Sequence, residues 1–124
     1  MSRLIARLSI AALGVAAAMT ATTNGPAVDV SRFTGLAKVS LNSSAMGAAG
    51  TTSNTKLQHS ADGSTNWVDV PSGAFAQVTN AGSSAQDIML NTDSLRKFVR
   101  VVDTLAGTTP TVTRSVTLIG TIAY

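Results

Sequence analysis

The stretch "TVTRSVTLIGTIAY", residues 111–124, decides the fold. Val112, Val116, Leu118 and Ile122 share one parity, with Arg114 interrupting them, while Thr113, Ser115 and Thr117 take the other. A period of two belongs to strands, because successive side chains leave a pleated backbone on opposite faces. One face is therefore buried and the other solvated, as in antiparallel sheets.

The same reading extends backward through the chain. "LRKFVRVVDTL" (95–105) is the longest β-rich run, and "AGTTP" (106–110) turns it into the last strand. "GLAKVSLN" (35–42) sets Ala37, Val39 and Leu41 against Lys38 and Ser40, and "TKLQHS" (55–60) sets Thr55, Leu57 and His59 against Lys56, Gln58 and Ser60. "AVDV" (27–30), "NWVDV" (66–70), "AFAQVT" (74–79) and "DIMLNT" (87–92) complete about eight strands. Between 66–70 and 74–79 a "PSG" turn is expected, since Pro71 fixes φ and Gly73 tolerates positive φ. Short strands without intervening helices predict an all-β, two-sheet antiparallel β-sandwich, jelly-roll or immunoglobulin-like in its connections.

Composition agrees. The 124 residues suit one domain with a real core. Cysteine is absent, which excludes disulfides and thiolate metal sites, and all six acids are Asp. Thr, Ser, Val, Gly and Asn outweigh the helix formers. The net charge is +3, and without Arg3 and Arg7 seven bases face six acids, leaving +1. A nearly neutral body lacks the row of phosphate-neutralising groups that a nucleic-acid binder needs.

"MSRLIARLSIAALGVAAAMT" (1–20) is the one stretch with helical character. Residues 1–21 are read as an N-terminal apolar arm or helix preceding a sandwich domain over 22–124. Leu4, Ile5, Leu8, Leu13 and Val15 are its candidate contacts with a neighbouring subunit, and its removal is expected to leave the sandwich folded. The alternative is a signal peptide, with a basic start, an apolar run from Leu8 to Ala18 and an Ala-x-Ala end at 16–18, which would make the chain secreted or periplasmic. The apolar run is short for a membrane span.

Candidate chemistry is sparse. "HSADGSTNWVDV" (59–70) approaches an Asp-box, but Gly63 follows Asp62 directly and the motif occurs once. As a calcium loop it offers one carboxylate among neutral oxygens. A hairpin tip, with Asp62 and Gly63 turning the chain and Trp67 anchoring the next strand in the core, explains the same residues. His59 has no nucleophile or orienting acid at a telling spacing, and reads as a partly buried residue bonded to a loop carbonyl. No catalytic, metal or cofactor residue is expected, and no enzymatic activity. Asp69, Asp87, Asp93 and Asp103 read as strand-end and turn residues. Arg96 and Arg100, with Lys97, are the basic cluster of the body and a candidate protein interface.

Several segments together resemble a family of small virion proteins of tailed bacteriophages and prophages. They are "NGPAVDV" (24–30), "KLQHSADGSTNWVDV" (56–70), "AFAQV" (74–78), "RKFVRVV" (96–102) and "GTTPTVTRSV" (107–116), in order across roughly residues 22 to 120. The resemblance implies a structural role on the particle, as a capsid decoration or cement protein contacting the major capsid protein or other virion proteins, as a homo-oligomer or lattice-bound copies. Neither nucleic acid nor membrane is implied as a partner in that role. A tail or head–tail joining protein, and an exported adhesin-like or carbohydrate-binding module, are the alternatives. The apolar, Ala-rich N-terminus departs from the family pattern.

Overall fold

In the computed structural model residues 6–123 have described backbone, and side chains are described from Leu8 to Ile122. Among the described residues nine strands pair in a nested scheme. β1 (Ala6–Met19) runs antiparallel to β9 (Val112–Ala123), so the first strand meets the last. β2 (Thr23–Asn24) and β3 (Val28–Asp29), two halves of a strand broken around Pro26, both pair with β8 (Phe98–Ala106). β4 (Phe33–Ser43) pairs with β7 (Ser84–Asn91), and β5 (Thr52–Ser60) with β6 (Val68–Ala74). The chain is thus one long folded-over ribbon. Rolling it up adds the β4–β9 and β5–β8 pairings, which produce one sheet in the order β1-β9-β4-β7 and a second in the order β2-β8-β5-β6, with β3 also on β8. This is the jelly-roll arrangement of the sandwich.

The alternation read from sequence sets the core. Ala37, Val39 and Leu41 of β4, Leu57 of β5, Val99 and Val101 of β8, and Val116 and Leu118 of β9 are all buried between the sheets. Phe33 fits because Gly120 opposite has no side chain; a Cβ there would lie 2.9 Å from the ring. A smaller cluster of Met19, Met46, Val78 and Val112 closes one end.

Three expectations are corrected. Residues 6–19 are a strand, not a helix, and among the described residues the sole helical turn is the short 3₁₀ segment Thr92–Ser94. Alanine favours helix in isolation, but β9 offers a full row of backbone partners, and Ala11 and Leu13 reach the core from β1; tertiary pairing outweighs propensity. The "PSG" segment does not separate two strands. β6 runs through it to Ala74, with Ser72 at φ 60, while residues 75–79 form no strand and add the isolated bridge between Ser53 and Val78. Proline is tolerated there because β6 lies at a sheet edge, where an N–H can go unpaired. Finally, Asp103 is not a strand-end residue but sits fully buried within β8.

Candidate functional site

The polar residue that interrupts β9 finds its partner across the sandwich. Arg114 points inward from one sheet and Asp103 from the other, both buried. Arg114 Nε donates to both carboxylate oxygens at 3.0 and 3.1 Å, and a second guanidinium nitrogen closes the fork on Oδ2. Thr55 Oγ1 donates to Asp103 Oδ1 at 2.8 Å. Space for the guanidinium comes from Gly14 on β1, where a Cβ would lie 2.5 Å from Arg114 Nη1. The pairing of β1 with β9 shifts register on either side of Gly14. The cluster is saturated by its own members, so it pins four strands together and offers no open group to a ligand.

The "SADGSTN" segment is the tip of the β5–β6 hairpin. Asp62 Oδ1 accepts the backbone N–H of Ser64 and of Thr65, each at 2.9 Å, and Oδ2 accepts the Thr65 hydroxyl at 2.6 Å. Those bonds, the Thr65 hydroxyl foremost, hold the carboxyl far below the usual carboxylate range. Gly63 has φ +75 and packs against the Phe98 ring, where a Cβ would meet Cγ at 3.0 Å. With its oxygens spent on the loop's own donors, Asp62 shapes the turn. Among the described residues no group of three or more potential metal ligands converges.

His59 is buried on the inner side of β5, and its Nδ1 accepts the backbone N–H of Arg96 at 3.1 Å rather than meeting a loop carbonyl. Burial, and then the charge of Arg96, lower its pKa below the ordinary 6.5. The sign follows: the unfolded chain takes up its proton first as pH falls below about 6.5. Stability due to neutral His59 is therefore full above that pH and is lost as pH falls toward the folded-state pKa. As the chain has one histidine, thermal melts between pH 7.5 and 5 are expected to show a falling midpoint that flattens in His59→Asn, which keeps an acceptor. An equal slope in both proteins would contradict this role.

Trp67 does not enter the core. It is half-buried on the outer side of the second sheet, with the Arg100 guanidinium 4.4 Å from its ring centre. Arg100 donates from Nε and Nη2 to Gln58 Oε1 at 3.0 and 2.7 Å; Gln58 Nε2 donates to Asp69, which also pairs with Lys56 at 3.0 Å. Gln58, then Lys56, lower the Asp69 pKa. Stacking and hydrogen bonds order this ladder, and they cover a ring face that sugar stacking would use. Arg96 lies nearby, exposed, with Nη1 3.5 Å from the Asn66 carbonyl. Val99 and Val101 face inward and Arg100 lies on the outer face beside Trp67, while Asp103 is the charge that β8 sends into the core.

The N-terminal candidates separate. Leu13 is core, whereas Leu8 and Val15 are 76% and 70% exposed; Leu4 and Ile5 lie outside the described residues. What sequence reasoning missed is a band on the outer face of the first sheet. Register places Ile10 beside Ile119, Ile119 beside Lys38 and Lys38 beside Met89, a row spanning all four strands. Ile10 and Met89 are exposed, as are Leu8 and Leu36 close to the row. Alternation placed Lys38 on the solvated face, but the helical reading of residues 1–20 hid the facing of Leu8 and Ile10, and assembly into one row needs strand order, which a single sequence does not carry. A shallow depression of about 450 Å³ at the other end of this sheet is lined by hydroxyls, alanines and Asn42, and its ionisable lining residue, Arg114, is committed to Asp103.

No family model matches the sequence, and no curated protein matches it. Similar solved structures exist. The infectious bursal disease virus Gt strain structure aligns with a TM-score of 0.61 at 10% identity, over 95% of this chain and 33% of that one. The infectious bursal disease virus VP2 subviral particle gives 0.56 at 12%, again over 95% and 33%. A subunit of Bacillus endospore appendages, disulfide-linked pili, gives 0.49 at 12% over 98% and 91%. The chain spans about a third of the length of the viral chains it matches. At these identities the likeness is one of fold: an all-β, jelly-roll-like sandwich.

Proposed function

We propose that the chain is a non-enzymatic structural subunit of a bacteriophage particle, a capsid decoration or cement protein that docks on neighbouring capsid subunits. The observation that carries this reading is the row Ile10–Ile119–Lys38–Met89, apolar except for Lys38, with Leu8 and Leu36 beside it, on a sheet face where these side chains stand exposed or half-exposed. Contiguous exposed apolar surface marks a protein contact. The ordered run of virion-like segments over residues 22 to 120 supports the phage assignment, and the jelly-roll fold suits a subunit that acts through its faces. Each copy contributes modest energy, and a lattice that holds many copies at high effective concentration makes the sum large.

The test is fractionation of phage-producing cells on a density gradient. The chain is expected with virus-sized particles, and Leu36→Asp/Met89→Asp is expected to stay folded while its particle occupancy drops at least about tenfold, a loss near 1.4 kcal/mol. Wild-type chain found only at the top of the gradient would overturn the proposal.

A further inference from the structure

A jelly roll leaves four strand edges, and three of them here are obstructed. The edge formed by β2 and β3 consists of two two-residue strands split around Pro26. The β6 edge carries Pro71 and the positive-φ Ser72. The β7 edge is clamped by its own Gln86, whose side-chain amide accepts the Ala76 N–H at 2.7 Å and donates to the Ala76 carbonyl at 3.0 Å. These are devices that stop strands adding to a sheet. β1 is different. It is 14 residues long, forms the outer strand of its sheet, contains no proline and carries a single charge, Arg7. Its first half, Ala6–Ala12, keeps unbroken register with β9, and Leu8 and Ile10 stand exposed beside it at 76% and 63%.

We infer that β1 is the edge through which the chain pairs with a second copy of itself, antiparallel about a two-fold axis at Ser9. This names a contact within the structural-subunit reading above and rests on it. The partner edge must be another β1, because the other three edges of any copy are blocked, and a like-with-like contact closes as a dimer. A two-fold at Ser9 sets Leu8 against Ile10 of the second copy twice, so the exposed apolar pair is covered from both sides. One strand edge is a small contact beside a standard interface of about 800 Å² per partner, so the free dimer is expected to be weak and to be consolidated by lattice neighbours.

The chain has no cysteine, which makes a one-residue test clean. Directly opposed residues in an antiparallel pair have Cα atoms about 4.5–5.5 Å apart, within disulfide range. Ser9→Cys is therefore expected to form a covalent dimer under mild oxidation, and Thr113→Cys is not. In sedimentation equilibrium the wild type is expected to dimerise with concentration, and Leu8→Lys/Ile10→Lys to weaken dimerisation at least about tenfold with an unchanged melting curve. A wild type that stays monomeric at its solubility limit, no Ser9→Cys cross-link, or unweakened dimers in the lysine variant would overturn the inference. A monomeric chain that still sediments with particles sinks the edge contact alone, whereas a cross-linked dimer absent from particles sinks the function and leaves the edge contact standing.

Discussion

Asp103→Ala is expected to destabilise the sandwich by about 3–5 kcal/mol, because it leaves the Arg114 guanidinium buried without its counter-ion. The loss should appear as a large drop in the urea midpoint with an unchanged slope. Domain stabilities are about 5–15 kcal/mol, so the variant approaches unfolding at ordinary temperature. The paired replacement Asp103→Leu/Arg114→Met should recover most of the loss, since removing both charges ends their desolvation cost and fills the space with apolar atoms. Thr55 then loses its acceptor, so the recovery is expected to be more complete with Thr55→Val added. If Asp103→Ala unfolds at the wild-type midpoint, the cross-sheet pair does not hold the sheets together.

Deleting residues 1–19 is expected to abolish cooperative folding. From sequence this segment reads as an appendage whose removal spares the sandwich, but β1 pairs with β9 along its length and contributes Ala11 and Leu13 to the core. Losing a buried leucine side chain alone costs about 2–5 kcal/mol, before the bared edge of β9 is counted. Leu13→Ala is the milder test and is expected to lower stability within that range, whereas Val15→Ala, at an exposed site, should change it by less than about 0.5 kcal/mol. Calorimetry and amide spectra of the truncated chain check the first statement. A sharp transition near the wild-type temperature would show that the fold does not need β1. The result also bears on N-terminal processing, since cleavage after Ala18 would remove the strand that covers Arg114.

The two structural tests address different contributions. Asp103 and Arg114 act between the sheets, whereas β1 acts within one sheet and at its rim. Arg114 connects them, because its guanidinium occupies the space left by Gly14 and has Nη1 3.5 Å from the Val15 carbonyl. Losses from Asp103→Ala and Leu13→Ala are therefore expected to be non-additive, as neighbouring sites in one network usually are.

Strand identity and facing were legible in the sequence wherever one face is apolar. Alternation in 35–42, 55–60 and 111–124 placed Ala37, Val39, Leu41, Leu57, Val116 and Leu118 inside, and burial follows that parity. Alternation is a local property, fixed by the pleat, so a local reading can find it. Where local preference and tertiary partners disagree, the reading went wrong: Ala-rich β1 looked helical, "PSG" looked like a turn, and Trp67 looked like core. Each was decided by a neighbour distant in sequence, namely β9, the β5 strand that pairs with β6 on either side of the segment, and Arg100.

By itself, then, the sequence determined a cysteine-free, sparsely charged β-sandwich, with the alternating positions that fill its core and the Asp–Gly tip that turns one hairpin. Only the tertiary structure decided that the strands roll into a jelly roll and that Arg114 meets Asp103. It also decided that Ile10, Ile119, Lys38 and Met89 form one row, and that β1 is the open edge. The physical reason is range. Side-chain facing depends on the next residue along the chain, whereas sheet order, ion pairing and edge exposure depend on which distant strands come to lie side by side.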